Sequence, residues 1–205
     1  MGRTTTRHHT RSGAKMPHNL LDEPAIVVAQ LGKFMSQFAD YELYRPDGTP
    51  LGAVSEEQTV GGMFARKLAT LRFVMTDTAG ATVATIEKPG AFGVSHFILY
   101  DAADQQVGEL AQENLMFDPQ FTISTANGQM RLTSSAVMAW DWTLTDDNGT
   151  QVGAVTREYA GLADMFTTAE RYVVQLSPSL QGAHRLAALA ACICMDVVRD
   201  SKKRR

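Results

Sequence analysis

The side chains able to do chemistry in this 205-residue chain are few, and their spacing is poor for it. Carboxylates pair at Asp101/Asp104 and Asp146/Asp147. A glycosidase-type acid pair needs two carboxyls facing each other across a cleft. Both pairs here adjoin hairpin-turn sequences, where aspartate bonds to its own backbone. The histidines are His8, His9, His18, His96 and His184, three of them near the start, so a metal cluster would need tertiary convergence. His184 stands just before an apolar stretch, placed to cap it or to line the mouth of the fold. Cys192 and Cys194 lie inside that stretch; at i, i+2 on a helix they point to nearly opposite sides and cannot share a metal. Two cysteines also make no disulfide framework, and they read as small buried hydrophobes. Trp140 and Trp142 share one face of a strand, which suits core or interface packing better than a ligand-stacking platform. No phosphate loop, nucleophile elbow or His-Glu-x-x-His zinc motif occurs, and Gly61-Gly62 precedes Met63-Phe64 rather than a phosphate-binding lysine. No catalytic residue, cofactor or metal site is assigned, and the chain is expected not to be an enzyme.

The elements that would position these residues repeat. Five times an aromatic residue is followed by a turn about seven residues on and a small or branched apolar residue at plus eleven. Tyr41 leads to Asp47-Gly48 and Gly52, Phe73 to Ala79-Gly80 and Ala84, and Phe97 to Ala103-Asp104 and Gly108. Phe121 leads to Asn127-Gly128 and Leu132, and Trp142 to Asn148-Gly149 and Gly153. Pro46-Asp47-Gly48 suits a type I turn followed by a left-handed residue. Both residues of Asn-Gly accept positive φ, the strongest short hairpin signal. Ala103-Asp104 has no glycine and is the weakest of the five. The flanks are rich in Val, Ile, Thr and aromatics, as strands prefer. Five hairpins give ten strands; in 25–39 Ile26, Val27 and Val28 favour one more, while the remainder suits a short helix or a second strand; Arg171–Ser177 reads as a further strand, and 56–67 and 161–169 read as local helix or loop.

From Leu186 to Met195 every residue is apolar, bounded by Arg185 and Asp196. A helix apolar on all faces is either buried or in a membrane, and this run is about half the roughly twenty residues needed to span a bilayer. Its alanines make it thin enough to lie along the axis of a closed barrel of roughly a dozen strands.

The net charge of −3 conceals an asymmetry. Arg3, Arg7, Arg11 and Lys15 stand at the start with no acid among residues 1–16, and Arg199, Lys202, Lys203, Arg204 and Arg205 stand at the end against Asp200 alone. Residues 17–198 keep ten basic and twenty-one acidic residues. An acidic body is a poor nucleic-acid binder, whereas basic ends suit an anionic membrane surface. The plan is a disordered basic arm at 1–24, one domain at 25–199 and a basic tail at 200–205. The start lacks the apolar run of a secretory signal, and cytoplasmic residence is expected, peripheral at the inner face of the plasma membrane.

Several stretches resemble the phospholipid scramblase family, within the superfamily of the Tubby C-terminal domain and the LURP-one-related proteins. They are Leu71-Arg72-Phe73 through Asp77, Gly80 and Val83 to Lys88-Pro89; Val107-Gly108-Glu109; Val152 to Val155 followed by Glu158-Tyr159-Ala160-Gly161; and Met165-Phe166-Thr167 through Tyr172–Leu176 to the final helix. The resemblance covers roughly 38–199. It implies a twelve-stranded barrel around a hydrophobic C-terminal helix, and phospholipid movement between leaflets as the family activity. The family's acidic calcium segment falls here on Thr167-Thr168-Ala169-Glu170-Arg171. Glu170 beside Arg171 is a weak remnant, since calcium takes several oxygen ligands, and no calcium is expected. The palmitoylated cysteine-rich stretch of eukaryotic scramblases is absent. The functional expectation is a mainly β, non-enzymatic barrel that binds phospholipid headgroups or an anionic membrane surface, with the C-terminal bases as candidate contacts. The alternatives are a protein-interaction scaffold with an unknown partner and, third, a small-molecule enzyme in the barrel mouth.

Overall fold

The structure is a computed structural model that describes residues 19–30, 40–57, 70–90, 93–114, 120–134, 141–156 and 170–203; the side chains of Glu170 and of 199–203 lie outside that description. Twelve strands run in chain order: β1 Ala25–Gln30, β2 Asp40–Tyr44, β3 Pro50–Glu56, β4 Leu71–Asp77, β5 Thr82–Lys88 and β6 His96–Asp101. Then follow β7 Gln106–Gln112, β8 Phe121–Thr125, β9 Gly128–Ser134, β10 Trp142–Asp146, β11 Gln151–Thr156 and β12 Glu170–Leu176. Each strand from β1 to β12 pairs antiparallel with the next, and β1 closes the barrel on β12. The chain ends in helix α1, Gly182–Lys203. The expected segments 56–67 and 161–169 lie almost wholly outside the described residues, as does 31–39 after β1.

All five hairpins form. In four, the turn is tied by the same pair of backbone bonds: Asp77 N–H to Ala81 O at 3.0 Å and Gly80 N–H to Asp77 O at 3.0 Å, with equivalents at Arg45/Thr49, Asp101/Gln105 and Asp146/Thr150. Asp77, Asp101 and Asp146 each accept two further backbone N–H bonds on Oδ1. The left-handed position is filled by Gly48, Gly80 and Gly149 at φ 83°, 80° and 78°. The weakest expected turn has the same shape, with Asp104 at φ 59° standing where its siblings have glycine. An Asp tolerates this conformation at a cost, because its Cβ crowds the backbone. Asp104→Gly should therefore stabilise by about 0.5 kcal/mol and raise Tm by about 1–2 °C, read by calorimetry. An unchanged or lower Tm would show that the carboxylate repays the strain.

The Asn-Gly expectation needs correction. Only the glycines take positive φ; neither Asn127 nor Asn148 does. The fourth hairpin also differs in kind, with two residues between Thr125 and Gly128 and a register without a shift. Phe121 pairs with Leu132, whereas Tyr41, Phe73, Phe97 and Trp142 pair with Val54, Ile86, Leu110 and Val155, two residues further along. Leu132 at plus eleven is therefore the equivalent of those four branched residues, not of Gly52, Ala84, Gly108 and Gly153.

Those four small residues sit at the register shifts of their hairpins. A Cβ on Gly52 would lie 2.1 Å from the Thr76 carbonyl oxygen of β4, on Gly153 2.9 Å from the Gln175 oxygen of β12, and on Gly108 3.2 Å from the Ser124 oxygen of β8. Each glycine thus lets its strand approach the next strand around the barrel, as bulged barrel strands do.

The five aromatics point inward and are fully buried. α1 fills the space they surround: from Leu186 to Met195 no residue is more than 4% exposed. The buried-helix expectation holds, but the helix is longer than its apolar run and continues through Arg199 into the stretch assigned to the tail. Residues 19–24, assigned to the arm, are structured: Asn19 caps a 3-10 turn at Leu20–Asp22 and Leu20 joins the core.

Candidate functional site

The meander gives the barrel two chemically different rims. One holds the five hairpin turns, the β12–α1 turn and the first turn of α1. The other holds the free ends of the strands between hairpins and the point where α1 leaves.

At the hairpin rim, Arg185 is the closing piece. Its guanidinium is buried and donates to the carbonyls of Ser177 at 2.9 Å, Leu180 at 3.4 Å and Glu23. It ties the chain before β1 to the turn before α1. His184 lies at this mouth as expected, its Nδ1 2.8 Å from Thr125 Oγ1. It borders a surface recess of about 340 Å³ that Asp146, Asp147, Asn127 and Gln129 also line. Asp101 and Asp146 hold their own turns, as the sequence suggested.

At the exit rim, Tyr41 donates to Asp196 Oδ2 at 3.1 Å inside the barrel, and the Tyr172 hydroxyl donates to the Cys192 carbonyl at 3.4 Å. Lys88 ends β5 half-buried; burial pulls its ammonium below the usual range, opposed by Cys194. Burial pushes the Cys192 thiol up to about 12. Cys194 rises well above its ordinary range through burial and Cys192. Burial, then Asp196 and Tyr41, does the same to Tyr172. In the unfolded chain these groups ionise near pH 8.5–10, so the unfolded state gains where the folded state cannot ionise. Stability is fully present below about pH 8.5 and is lost as pH rises through about 12. The urea midpoint should hold to pH 8 and fall steadily above pH 9, with a shallower fall in Cys192→Ala. A midpoint flat to pH 11 would contradict the burial of these groups.

The sequence-derived candidates are scattered. Glu170 opens β12 opposite Gln30, and its side chain is outside the described residues. Arg199, Lys202 and Lys203 occupy the last turns of α1, while Arg204 and Arg205 lie beyond the described residues. His96 stands 3.4 Å from Glu109 on the surface, remote from His184. Trp142 is a core residue, and Trp140 lies outside the described residues. Among the described residues no three His, Cys, Asp or Glu converge as a cation site. Also among them, no helix is long and apolar enough to cross a membrane. Sequence reasoning missed Tyr41, Lys88 and Arg185; only Asp196, the one charge between Leu186 and Val198, gave a signal that something inside must receive it.

The chain matches the scramblase family over residues 17–200. It belongs to the scramblase family. The X-ray structure of a protein from Arabidopsis thaliana superposes with a TM-score of 0.52 at 13% identity, covering 91% of this chain and 99% of that one. At that identity the likeness carries the fold, and it agrees with the barrel and enclosed helix expected from the scramblase resemblance. No curated protein matches the chain. For this scramblase-family domain, the enclosed α1 is a core element, buried from Leu186 to Met195.

Proposed function

We propose that this scramblase-family barrel is a non-enzymatic module that binds phospholipid headgroups at an anionic membrane surface and acts peripherally from the cytoplasmic side. The observation that carries this reading is the occupied interior. α1 fills the barrel, so ligands meet its outside, and the basic residues at the chain ends are the groups suited to an anionic leaflet. Each Lys or Arg close to such a surface adds roughly 1 kcal/mol, screened by salt. Phospholipid scrambling is the activity the family implies; with α1 enclosed, moving lipid would need something besides this helix.

Flotation with neutral and with anionic liposomes, at low and high salt, tests the proposal. The full chain should float with anionic vesicles only and release at high salt. A chain lacking residues 1–16 and 200–205 should lose most of that binding if the ends anchor it, and keep it if the barrel holds a headgroup site. No flotation of the full chain ends the lipid reading in favour of a protein partner. Loss of fluorescent-lipid asymmetry in protein-treated vesicles would add scrambling to binding.

A further inference from the structure

The two Asn-Gly steps in the hairpin turns have a chemistry of their own. The chain has four asparagines: Asn19 and Asn114 precede leucine, while Asn127 and Asn148 precede glycine. The backbone nitrogen after an asparagine can attack the side-chain amide carbon. Glycine, with no Cβ in the way and a free φ, lets it approach. Both Asn127 and Asn148 are exposed, so water reaches them.

The two turns present these asparagines differently. In the fifth hairpin Asn148 is held at several points. Its backbone N–H donates to Asp146 Oδ1 at 3.0 Å, and its side-chain nitrogen donates to Asp147 Oδ1 at 3.2 Å. Thr150 N–H donates to the same Asp146 oxygen at 2.8 Å, and Gly149 N–H to the Asp146 carbonyl at 3.1 Å. Reaction there requires the side-chain amide to leave a carboxylate. In the fourth hairpin Asn127 N–H donates to Thr125 Oγ1 at 3.1 Å. That hydroxyl is shared, lying 3.3 Å from the Gly128 carbonyl and 2.8 Å from His184 Nδ1. Among the described residues nothing bonds the Asn127 side-chain amide. The attacking nitrogens are more alike, since Gly128 pairs with Thr125 at the end of the β8–β9 ladder and Gly149 is tied within its turn. The difference therefore lies in the amide that must be reached, and bonds to an ionised acceptor are the stronger ones.

We propose that Asn127 is a site of spontaneous modification, where the chain converts its own amide to a carboxylate ahead of Asn148. The Gly128 nitrogen forms a bond to Asn127 Cγ, the Cγ–Nδ2 bond breaks, and ammonia leaves with the proton that Gly128 gives up. Water then opens the cyclic imide, at Cγ to give aspartate or at the backbone carbonyl to give isoaspartate. Nothing is oxidised or reduced. Either product adds one negative charge to a net −3 and places it in the recess that Asn127 shares with Asp146, Asp147 and His184. Isoaspartate also runs an extra backbone carbon through a turn whose register has no shift to absorb it.

Peptide mapping of the full chain, kept folded at mildly alkaline pH and body temperature and sampled over weeks, tests this. Asn127 should gain the acid mass about tenfold faster than Asn148, the order expected for one side-chain bond to a carboxylate. In urea the two sites should react alike, because both are then bare Asn-Gly steps. Asp147→Ala, in an exposed part of the turn, removes the acceptor of the Asn148 amide and should bring Asn148 towards the rate of Asn127. Asn127→Gln should remove the main product. Asn148 reacting first, or at the same rate, in the folded chain overturns the proposal. So does an Asn127 that stays intact in the folded chain while the unfolded chain converts, or an Asn148 rate that Asp147→Ala leaves unmoved.

Discussion

Arginine in place of Ala190 is expected to abolish the cooperative thermal transition. Ala190 lies mid-way along α1 with no exposed surface, enclosed by the barrel wall. A guanidinium there has neither volume nor solvent. Burying an unpaired charge belongs to the few mechanisms that exceed about 4–5 kcal/mol, against a total stability of order 5–15 kcal/mol. Gln181→Arg, on the exposed turn before the helix, introduces the same charge and should stay within about 0.5 kcal/mol of the parent. A melt of Ala190→Arg superimposable on wild type would mean that the helix is not inside the barrel.

The second large effect is expected at Gly52. An alanine Cβ would come within 2.1 Å of a backbone oxygen on the neighbouring strand, and that oxygen cannot swing aside as a side chain does. Overpacking of this kind costs about 1–3 kcal/mol or more, a fall in Tm of roughly 2–12 °C for a chain this long. The three glycines should rank by distance, with Gly52→Ala worst, Gly153→Ala next and Gly108→Ala mildest. Gly149→Ala is the contrast: its Cβ meets nothing within 4 Å, so it bears only the strain of φ 78°, about 1 kcal/mol. Equal losses at Gly52 and Gly149 would show that backbone conformation, not close approach, sets the requirement.

What was legible in the sequence was local. The aromatic-turn-small phrase encodes a hairpin within about a dozen residues, so turn chemistry and alternation revealed all five. The apolar run of α1 likewise reports its burial without reference to anything else. What stayed hidden depends on partners far along the chain. The glycine requirement arises from the next strand around the barrel, so plus eleven seemed a single motif although the fourth unit fills it with a differently registered residue. The Tyr41–Asp196 bond joins residues 155 apart. Arg185 read as a boundary charge, because the carbonyls it satisfies belong to two other segments. The basic residues were visible as a tail, but only the direction of α1 shows at which rim they emerge.

That α1 follows all twelve strands in the chain has a consequence for biosynthesis. The hairpins can form one by one as they leave the ribosome, since each is local. The seam between β1 and β12 cannot close until the other ten strands have been made, and the plug follows still later. Until β12 has been made, the nascent protein carries an open sheet lined with apolar side chains and two unpaired edge strands, the kind of surface that invites aggregation. A premature stop between Leu176 and Gly182 leaves a hollow shell and an earlier one an open sheet, and quality-control chaperones should hold both.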